Sequence, residues 1–145
     1  MADKMTDYEI IQLSVFMENK PGRLTGICEA LGEAGINIRG FSVADMADYG
    51  IFRLIVHDPD NAKKILDGLG FTVKESSVIC LNVEDKPGGL ANILKVFSAR
   101  EISVEYMYII ADTKIAFSVE DIGQAVKVLT DEGISLLTRS QVSAL

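Results

Sequence analysis

Two stretches of the sequence decide the fold: Glu18-Asn19-Lys20-Pro21-Gly22-Arg23-Leu24 and Glu84-Asp85-Lys86-Pro87-Gly88-Gly89-Leu90. In both, alternating apolar residues precede the Lys-Pro-Gly turn, and an apolar stripe at helical spacing follows it. The register holds on either side, pairing Leu13 with Ile79, Val15 with Leu81, Met17 with Val83, Ile27 with Ile93, Leu31 with Phe97, and Ile36 with Ile102. The chain is therefore an internal repeat of two copies.

The register slips once, by three residues, around Tyr49 and Lys114. Beyond the slip the copies agree again, with Phe52, Leu54 and Val56 matching Ile115, Phe117 and Val119. Because hairpin loops tolerate changes of length better than element interiors do, the slip indicates a hairpin that is shorter in the second copy.

Each copy reads as strand, helix, strand, strand, helix, strand, the ferredoxin-like βαββαβ order. Asp58 before Pro59, and Asp121 in the second copy, are typical first residues of the second helices. Gly35 can end the first helix in a left-handed conformation, whereas Glu101 at the same place predicts a different stop. Short closing strands are expected near Phe71 to Glu75 and near Ile134 to Ser140. We therefore predict an α+β fold of two tandem ferredoxin-like modules, with domains at residues 8–75 and 76–142.

Composition excludes several classes of function. The net charge of −7 disfavours nucleic acid and anionic membranes as partners, and no apolar run reaches the roughly 18 residues that a membrane span needs. One histidine, His57, and two cysteines outside any CxxC pair favour neither a metal site nor a disulfide framework. We expect Cys28 and Cys80 to be small buried apolar residues, and His57 to be a solvated strand end.

No nucleophile, base and orienting group stand together in a catalytic pattern, so we expect a binding protein without enzymatic activity or cofactor. Residues 1–5 lack the apolar stretch of a secretory signal, which favours a cytoplasmic protein.

Strand alternation also predicts which residues lie on the open sheet face, the face of each sheet away from its helices. Phe16, Phe41, Met107 and Ile109 would form a broad apolar patch there, and patches of this kind usually contact a partner. We therefore predict a homodimer through the open sheet face. An intramolecular contact of different geometry remains the alternative at this stage. The other expected members are Gln12, Ser14, Arg39, Val43, Arg53, Ile55, Cys80, Asn82, Glu105, Ala116 and Ser118.

The turn has a chemistry of its own. We expect the amides at the helix start, near Gly22 to Leu24, to point outward unpaired. Such a helix start attracts anions such as a carboxylate, and a nearby Asn19 or Asp85 can accept a proton from an ammonium group. This combination suits a free amino acid. Equally, Asn19 and Asp85 could only cap the turn while Pro-Gly makes it tight.

The pattern [Asn/Asp]-x-Pro-Gly-x-Leu after a first strand, followed by an apolar helix and Gly35-Ile36-Asn37-Ile38, resembles the ACT domain family. The likeness covers nearly the whole chain, twice over. It implies domains paired side by side in an eight-stranded, mostly antiparallel sheet with four helices on one face. It further implies a sensor of small molecules, mostly amino acids, that regulates a separate metabolic enzyme, with the ligand between the turn of one domain and the second strand of another.

Carried over residue by residue, the resemblance implies ligand contacts at Asn19, Pro21, Gly22, Arg23, Leu24, Asn37 and Ile38, and at Asp85, Gly88, Gly89, Leu90, Ser103 and Val104. Several amino-acid-binding members have a histidine where this chain has Met17 and Val83, which favours a ligand with an apolar or aromatic side chain. Because Arg23 aligns with Gly89 and Asn19 with Asp85, we expect two unlike sites or a single occupied one. The alternative is a ligand-free interaction module in which the turns are purely structural.

Overall fold

The computed structural model describes residues 6–145, which alternate between strands and helices. Six strands and five α-helices occur within this range. After a 3₁₀ turn at Thr6–Tyr8, they are β1 (Ile10–Met17), α1 (Arg23–Glu33), β2 (Ile38–Asp45), β3 (Gly50–Val56), α2 (Pro59–Gly68), β4 (Thr72–Asn82), α3 (Gly89–Ala99), β5 (Val104–Ala111), β6 (Lys114–Val119), α4 (Ile122–Asp131) and α5 (Arg139–Ser143).

The chain divides into two compact units. The first unit is Ile11–Ser76, and the second is Ser77–Leu145 together with the described residues 6–10. In the first unit β1 and β2 both pair antiparallel with β3. In the second unit the C-terminal part of β4 and the whole of β5 both pair antiparallel with β6. The two copies of the repeat therefore build their sheets by the same pairing scheme.

In each unit two helices cover one face of the sheet, which defines the helix face of that unit. The first core joins Leu13 and Leu54 of the sheet to Ile27 and Leu66 of the helices, all fully buried. Burying each such side chain contributes about 1.5–3 kcal/mol. The second core repeats the arrangement, and its rings Phe97 and Phe117 stack with centroids 5.2 Å apart.

The ends of the helices follow the sequence closely. Asp58 accepts a hydrogen bond from the amide of Asn61 at 3.3 Å, and Asp121 accepts one from the amide of Gln124 at 3.0 Å. The predicted caps of α2 and α4 are thus confirmed.

The expectation of a different stop after α3 is wrong. Gly35 has φ 73° and Glu101 has φ 58°, so both residues adopt the left-handed conformation. The following amides complete the same cap, Ile36 to the carbonyl of Leu31 at 2.9 Å and Ile102 to that of Phe97 at 2.8 Å. Glu101 tolerates a conformation that costs a residue with a Cβ about 1–2 kcal/mol because its surroundings hold it there.

The expected eight strands and four helices are also corrected. The closing strand of the first copy runs without a break into the first strand of the second, and together they form β4. In the second copy the closing strand shrinks to a single bridge between Leu81 and Leu136. Thr138 and Gln141 then form a reciprocal capping box that starts α5. This local hydrogen bonding begins a helix where alternation alone predicted a strand.

A β-bulge changes the face on which several apolar residues lie. The register of β2 shifts between Ile38 and Gly40, and that of β5 shifts between the aligned residues Val104 and Tyr106 and again between Ile109 and Ala111. One inserted residue moves every later side chain to the opposite face.

Consequently Phe41 pairs with Leu54, and Met107 pairs with Phe117, both of which belong to the helix-face cores. Cross-strand partners share a face, so the prediction that Phe41, Val43, Met107 and Ile109 lie on the open sheet face is wrong. Phe16 remains on that face, since it pairs with Ile51 and its ring lies 6.0 Å from that of Tyr49.

No helix within residues 6–145 is long and apolar enough to cross a membrane. Residues 1–5, on which the expectation about a secretory signal rests, lie outside the described part of the chain.

Candidate functional site

The two Lys-Pro-Gly turns hold the same backbone conformation at the start of α1 and α3. Gly22 has φ 89° and Gly88 has φ 84°, and each is the N-cap of its helix. L-residues rarely adopt this region, so glycine is required at both positions. Neither cap is closed by a side-chain hydrogen bond, so the helix starts depend on backbone groups alone.

The amides at these helix starts are only partly available. The amide of Arg23 donates to the carbonyl of Lys20 at 3.3 Å, and that of Gly89 donates to Lys86 at 3.0 Å. The expectation that the whole Gly22–Leu24 run points outward unpaired is therefore wrong for Arg23. Among the described residues no backbone acceptor is found for the amides of Gly22 and Leu24, which leaves two donors for an anion.

Asn19 has a partner that the sequence did not reveal. Its side-chain amide donates a short hydrogen bond to the carboxylate of Asp45, the last residue of β2. Asp45 lies on the helix face because it follows the bulge and pairs with Gly50. A Cβ added at Gly50 would lie 3.2 Å from the side-chain oxygen of Asn19 and 3.3 Å from the terminal methyl of Met17. The absence of a side chain at position 50 thus gives Asn19 room beside Asp45.

An apolar groove lies between α1 and β2 in the first unit. Its cavity of about 290 Å³ is lined by Leu24, Cys28, Ile38, Phe41, Val43 and Phe52. The rings of Phe41 and Phe52 meet edge to face at 6.1 Å. We call this cavity the first groove.

The two cysteines differ in exposure, which corrects half of the expectation that both are buried. Cys80 is fully buried, and burial raises the pKa of its thiol to about 12. Cys28 is exposed at the first groove, and partial burial raises the pKa of its thiol above the usual value.

Arg23 does not line the first groove. Together with Glu18 it lines a separate cavity of about 300 Å³ that includes Phe16 and Leu69 to Thr72. Lys20 contacts the same Glu18 carboxylate at 2.8 Å, and Arg23 lies 4.0 Å from it. The hydrogen bond and charge of Lys20, with the charge of Arg23, lower the pKa of Glu18. Exposed ion pairs of this kind contribute little to stability.

The structure does not bring Asn19 and Asn37 together. Asn37 stands just before β2 and Asn19 meets the residue at its other end, so the length of a strand, on the order of 20 Å, separates them. The backbone amide of Asn37 instead donates a hydrogen bond to Nδ1 of exposed His57 at 3.0 Å. Likewise Ser103 precedes β5 and Val104 is its first residue. Both line a cavity of about 580 Å³ beside the C-terminal half of α3.

The second turn is tighter than the first. Gly89 is buried, and a Cβ at this position would overlap the carbonyl oxygen of Glu84. Asp85 and Leu90 are exposed, but the position aligned with Asp45 is Ala111, which carries no charge. Thus the second copy keeps the turn and lacks the carboxylate that faces the first one.

Both ferredoxin-like units carry a glycine-capped turn at the start of their first helix. A family model described as ACT domain pair matches residues 8–145, and the chain belongs to this family. This confirms the resemblance found in the sequence. ACT domains are regulatory ligand-binding domains, and no catalytic family is matched.

Solved structures are similar over nearly the whole chain. Protein BT0572 from Bacteroides thetaiotaomicron is 35% identical with a TM-score of 0.90, covering 95% of this chain and 98% of that one. The ligand-free regulatory subunit of aspartate kinase from Thermus thermophilus is 13% identical with a TM-score of 0.64, covering 86% and 93%. The corresponding subunit from Thermus flavus is 14% identical with a TM-score of 0.61, covering 86% and 93%. The last two likenesses concern the fold alone. No curated protein matched the chain.

Proposed function

We propose that this protein is a cytoplasmic sensor that binds a free amino acid and regulates a separate metabolic enzyme. One observation carries the proposal: hydrogen-bond donors and a carboxylate lie together at one end of the first groove. The free amides at the start of α1 suit a carboxylate, and the Asn19–Asp45 pair suits an ammonium group. The two structures of aspartate kinase regulatory subunits share this fold, which is in keeping with a regulatory role in amino-acid metabolism.

We further propose that the two ACT domains, residues 8–75 and 76–142, act within a homodimer. In one chain Asn19 and Asn37 lie too far apart to contact the same small molecule. Among the described strands β2 pairs only with β3, so its other edge is available. Antiparallel pairing of β2 with its copy in a second chain would bring Asn37 of one chain towards Asn19 of the other. This edge replaces the open sheet face as the proposed contact, because Phe41, Met107 and Ile109 lie on the helix side and leave Phe16 as the remaining member of the predicted patch.

The proposal is tested by a thermal-shift screen of the protein against the twenty amino acids. A ligand that binds only the native state raises its stability by RT ln(1 + [L]/Kd), about 2.7 kcal/mol at a hundredfold excess over Kd. We expect one amino acid, or a few related ones, to raise the melting temperature. If none does, the protein is a ligand-free interaction module.

Sedimentation at micromolar concentration tests the dimer separately. We expect a species of twice the chain mass, and a sample that contains only the 15.8 kDa chain would contradict it. Phe41 and Val43 are exposed on the edge strand β2, and exposed apolar residues of this kind favour association.

A further inference from the structure

We infer that the first groove takes the side chain of an apolar amino acid, and that Asp45 receives the ammonium group of that ligand. The second unit would hold no equivalent ligand, giving one site per chain. This inference rests on the proposed function and specifies its ligand class and its anchoring residue.

The backbone places the polar and apolar parts of this site on one surface. Val43 lines the groove and Asp45 follows it by two residues on the same face of β2. Two strand residues span about 6.6 Å, so a ligand whose ammonium group meets Asp45 would place its side chain near Val43. On the opposite wall Leu24 lines the groove from the first turn of α1, beside its free amides.

The charges at this end are complementary to a zwitterion. Asn19 occupies one oxygen of the Asp45 carboxylate, and a carboxylate can accept several hydrogen bonds. The start of α1 carries the positive end of the helix dipole, which favours the carboxylate of the ligand. An amino acid bound there by both groups directs its side chain along the groove.

The groove itself excludes polar side chains. Carbon and sulfur atoms dominate the side chains that line it, and its volume of about 290 Å³ is at the lower end of known ligand pockets. A hydroxyl, amide or ammonium group placed there would lose its water without a partner, which costs a polar group about 1–3 kcal/mol in proteins. Leucine, methionine and phenylalanine fit these conditions.

The second unit lacks the strand carboxylate. Ala111 aligns with Asp45 in the sequence, and a second register shift, between Ile109 and Ala111, pairs Ala111 with Lys114. The end of β5 therefore offers no carboxylate to a ligand. A Cβ at Gly89 would overlap the carbonyl oxygen of Glu84, so this turn has no room for a side chain at the position of Arg23. Of the two acidic residues of that turn, Glu84 is ion-paired with Lys86, and exposed Asp85 provides the control for Asp45.

Isothermal titration of the full chain with L-leucine, L-phenylalanine, L-serine and L-lysine tests the inference. We expect binding of leucine or phenylalanine at one site per chain and weaker or no binding of serine and lysine. The isosteric variant Asp45→Asn should weaken binding about tenfold or more, because it removes a charge-assisted contact. Asp85→Asn should leave the affinity within about twofold.

A ligand series identifies the group that Asp45 contacts. Removing the amino group, as in 3-phenylpropionate for phenylalanine or 4-methylpentanoate for leucine, should cost the wild type about tenfold or more. The same removal should cost the Asp45→Asn protein much less. An unchanged ratio in Asp45→Asn would show that the ammonium group binds elsewhere and would overturn the inference.

The outcomes separate the inference from the proposed function. Binding of only serine or lysine, or equal losses in both variants, would overturn the inference and keep the sensor. Absence of binding by all twenty amino acids would overturn both. If Asp45→Asn unfolds, Val43→Glu at an exposed groove position replaces it, and unchanged leucine or phenylalanine affinity in that variant would overturn the inference.

Discussion

The two copies of the turn share a backbone and differ in what surrounds it. In the first copy Asn19 meets Asp45, the residue after the glycine cap carries a long side chain, and an apolar groove runs along the helix. In the second copy Gly89 is buried against Glu84, and the aligned residue of the strand is Ala111, which carries no charge. The two copies thus share the turn that starts each helix and differ in the side chains around it, which is why we propose a ligand site in the first copy alone.

The largest expected difference between the copies concerns the residue after the glycine cap. We expect Gly89→Ala to lower the free energy of unfolding by about 1–3 kcal/mol, because its Cβ would overlap the Glu84 carbonyl and force the backbone apart. Arg23→Ala, the matched change in the first copy, should stay within about 0.5 kcal/mol. Urea unfolding measures both losses. Equal midpoints in the two variants would show that a Cβ at position 89 does not clash with Glu84.

The next expected difference is ligand binding at the first groove, which the reactivity of the Cys28 thiol can report. L-Leucine or L-phenylalanine at about ten times its Kd should slow the reaction of Cys28 with N-ethylmaleimide about tenfold, since the bound ligand covers the groove. Buried Cys80 should not react in the native protein. Because burial raises the pKa of Cys28, its reaction should accelerate steadily from pH 7 to pH 9 as the thiolate forms.

A thiol in the second unit, at the cavity beside α3 that Leu94 lines, supplies the control for this experiment. Leu94 aligns with Cys28, so the double variant Leu94→Cys with Cys28→Ala moves the reporter to the second copy. Its reaction rate, followed by mass spectrometry, should not change with either amino acid. Protection at position 94 equal to that at position 28 would indicate two equivalent sites.

The smallest expected difference lies in the caps themselves. Gly22→Ala and Gly88→Ala should each destabilise the protein by about 1–2 kcal/mol, because both residues have left-handed φ angles that a Cβ disfavours. The two losses should agree within about 0.5 kcal/mol, since neither added Cβ would meet an atom within 4 Å. Thermal or urea unfolding measures the pair, and a clear inequality would mean that the turns differ in backbone as well as in side chains.

Much of the fold follows from local sequence signals. The Lys-Pro-Gly turns lead into the first helices, and Asp58 and Asp121 cap the second ones, as the sequence predicts. These predictions hold because capping depends on a few adjacent backbone and side-chain atoms. The core strands and helices were equally accessible, since buried positions recur at the periods of the two structures.

The candidate site was less accessible from the sequence. The turn motif points to Asn19 in the sequence, whereas uninterrupted alternation along β2 does not point to Asp45. Two features of the aligned copies bear on the site. Asp45 aligns with Ala111, and the residue that leaves space beside Asn19 is a glycine, Gly50. They gain meaning only when the bulge has set the register of β2.

The sequence by itself determined the duplication, the order of elements, the Lys-Pro-Gly turns and the residues of the two cores. The tertiary structure decided which face Phe41 and Met107 occupy, how the closing strands end and which acidic residue meets Asn19. Turns and caps are fixed by neighbours in the chain, so the sequence displays them directly. Bulges, strand mergers and contacts between distant residues depend on which pairing gives the better packed sheet, and that balance exists only in the folded chain.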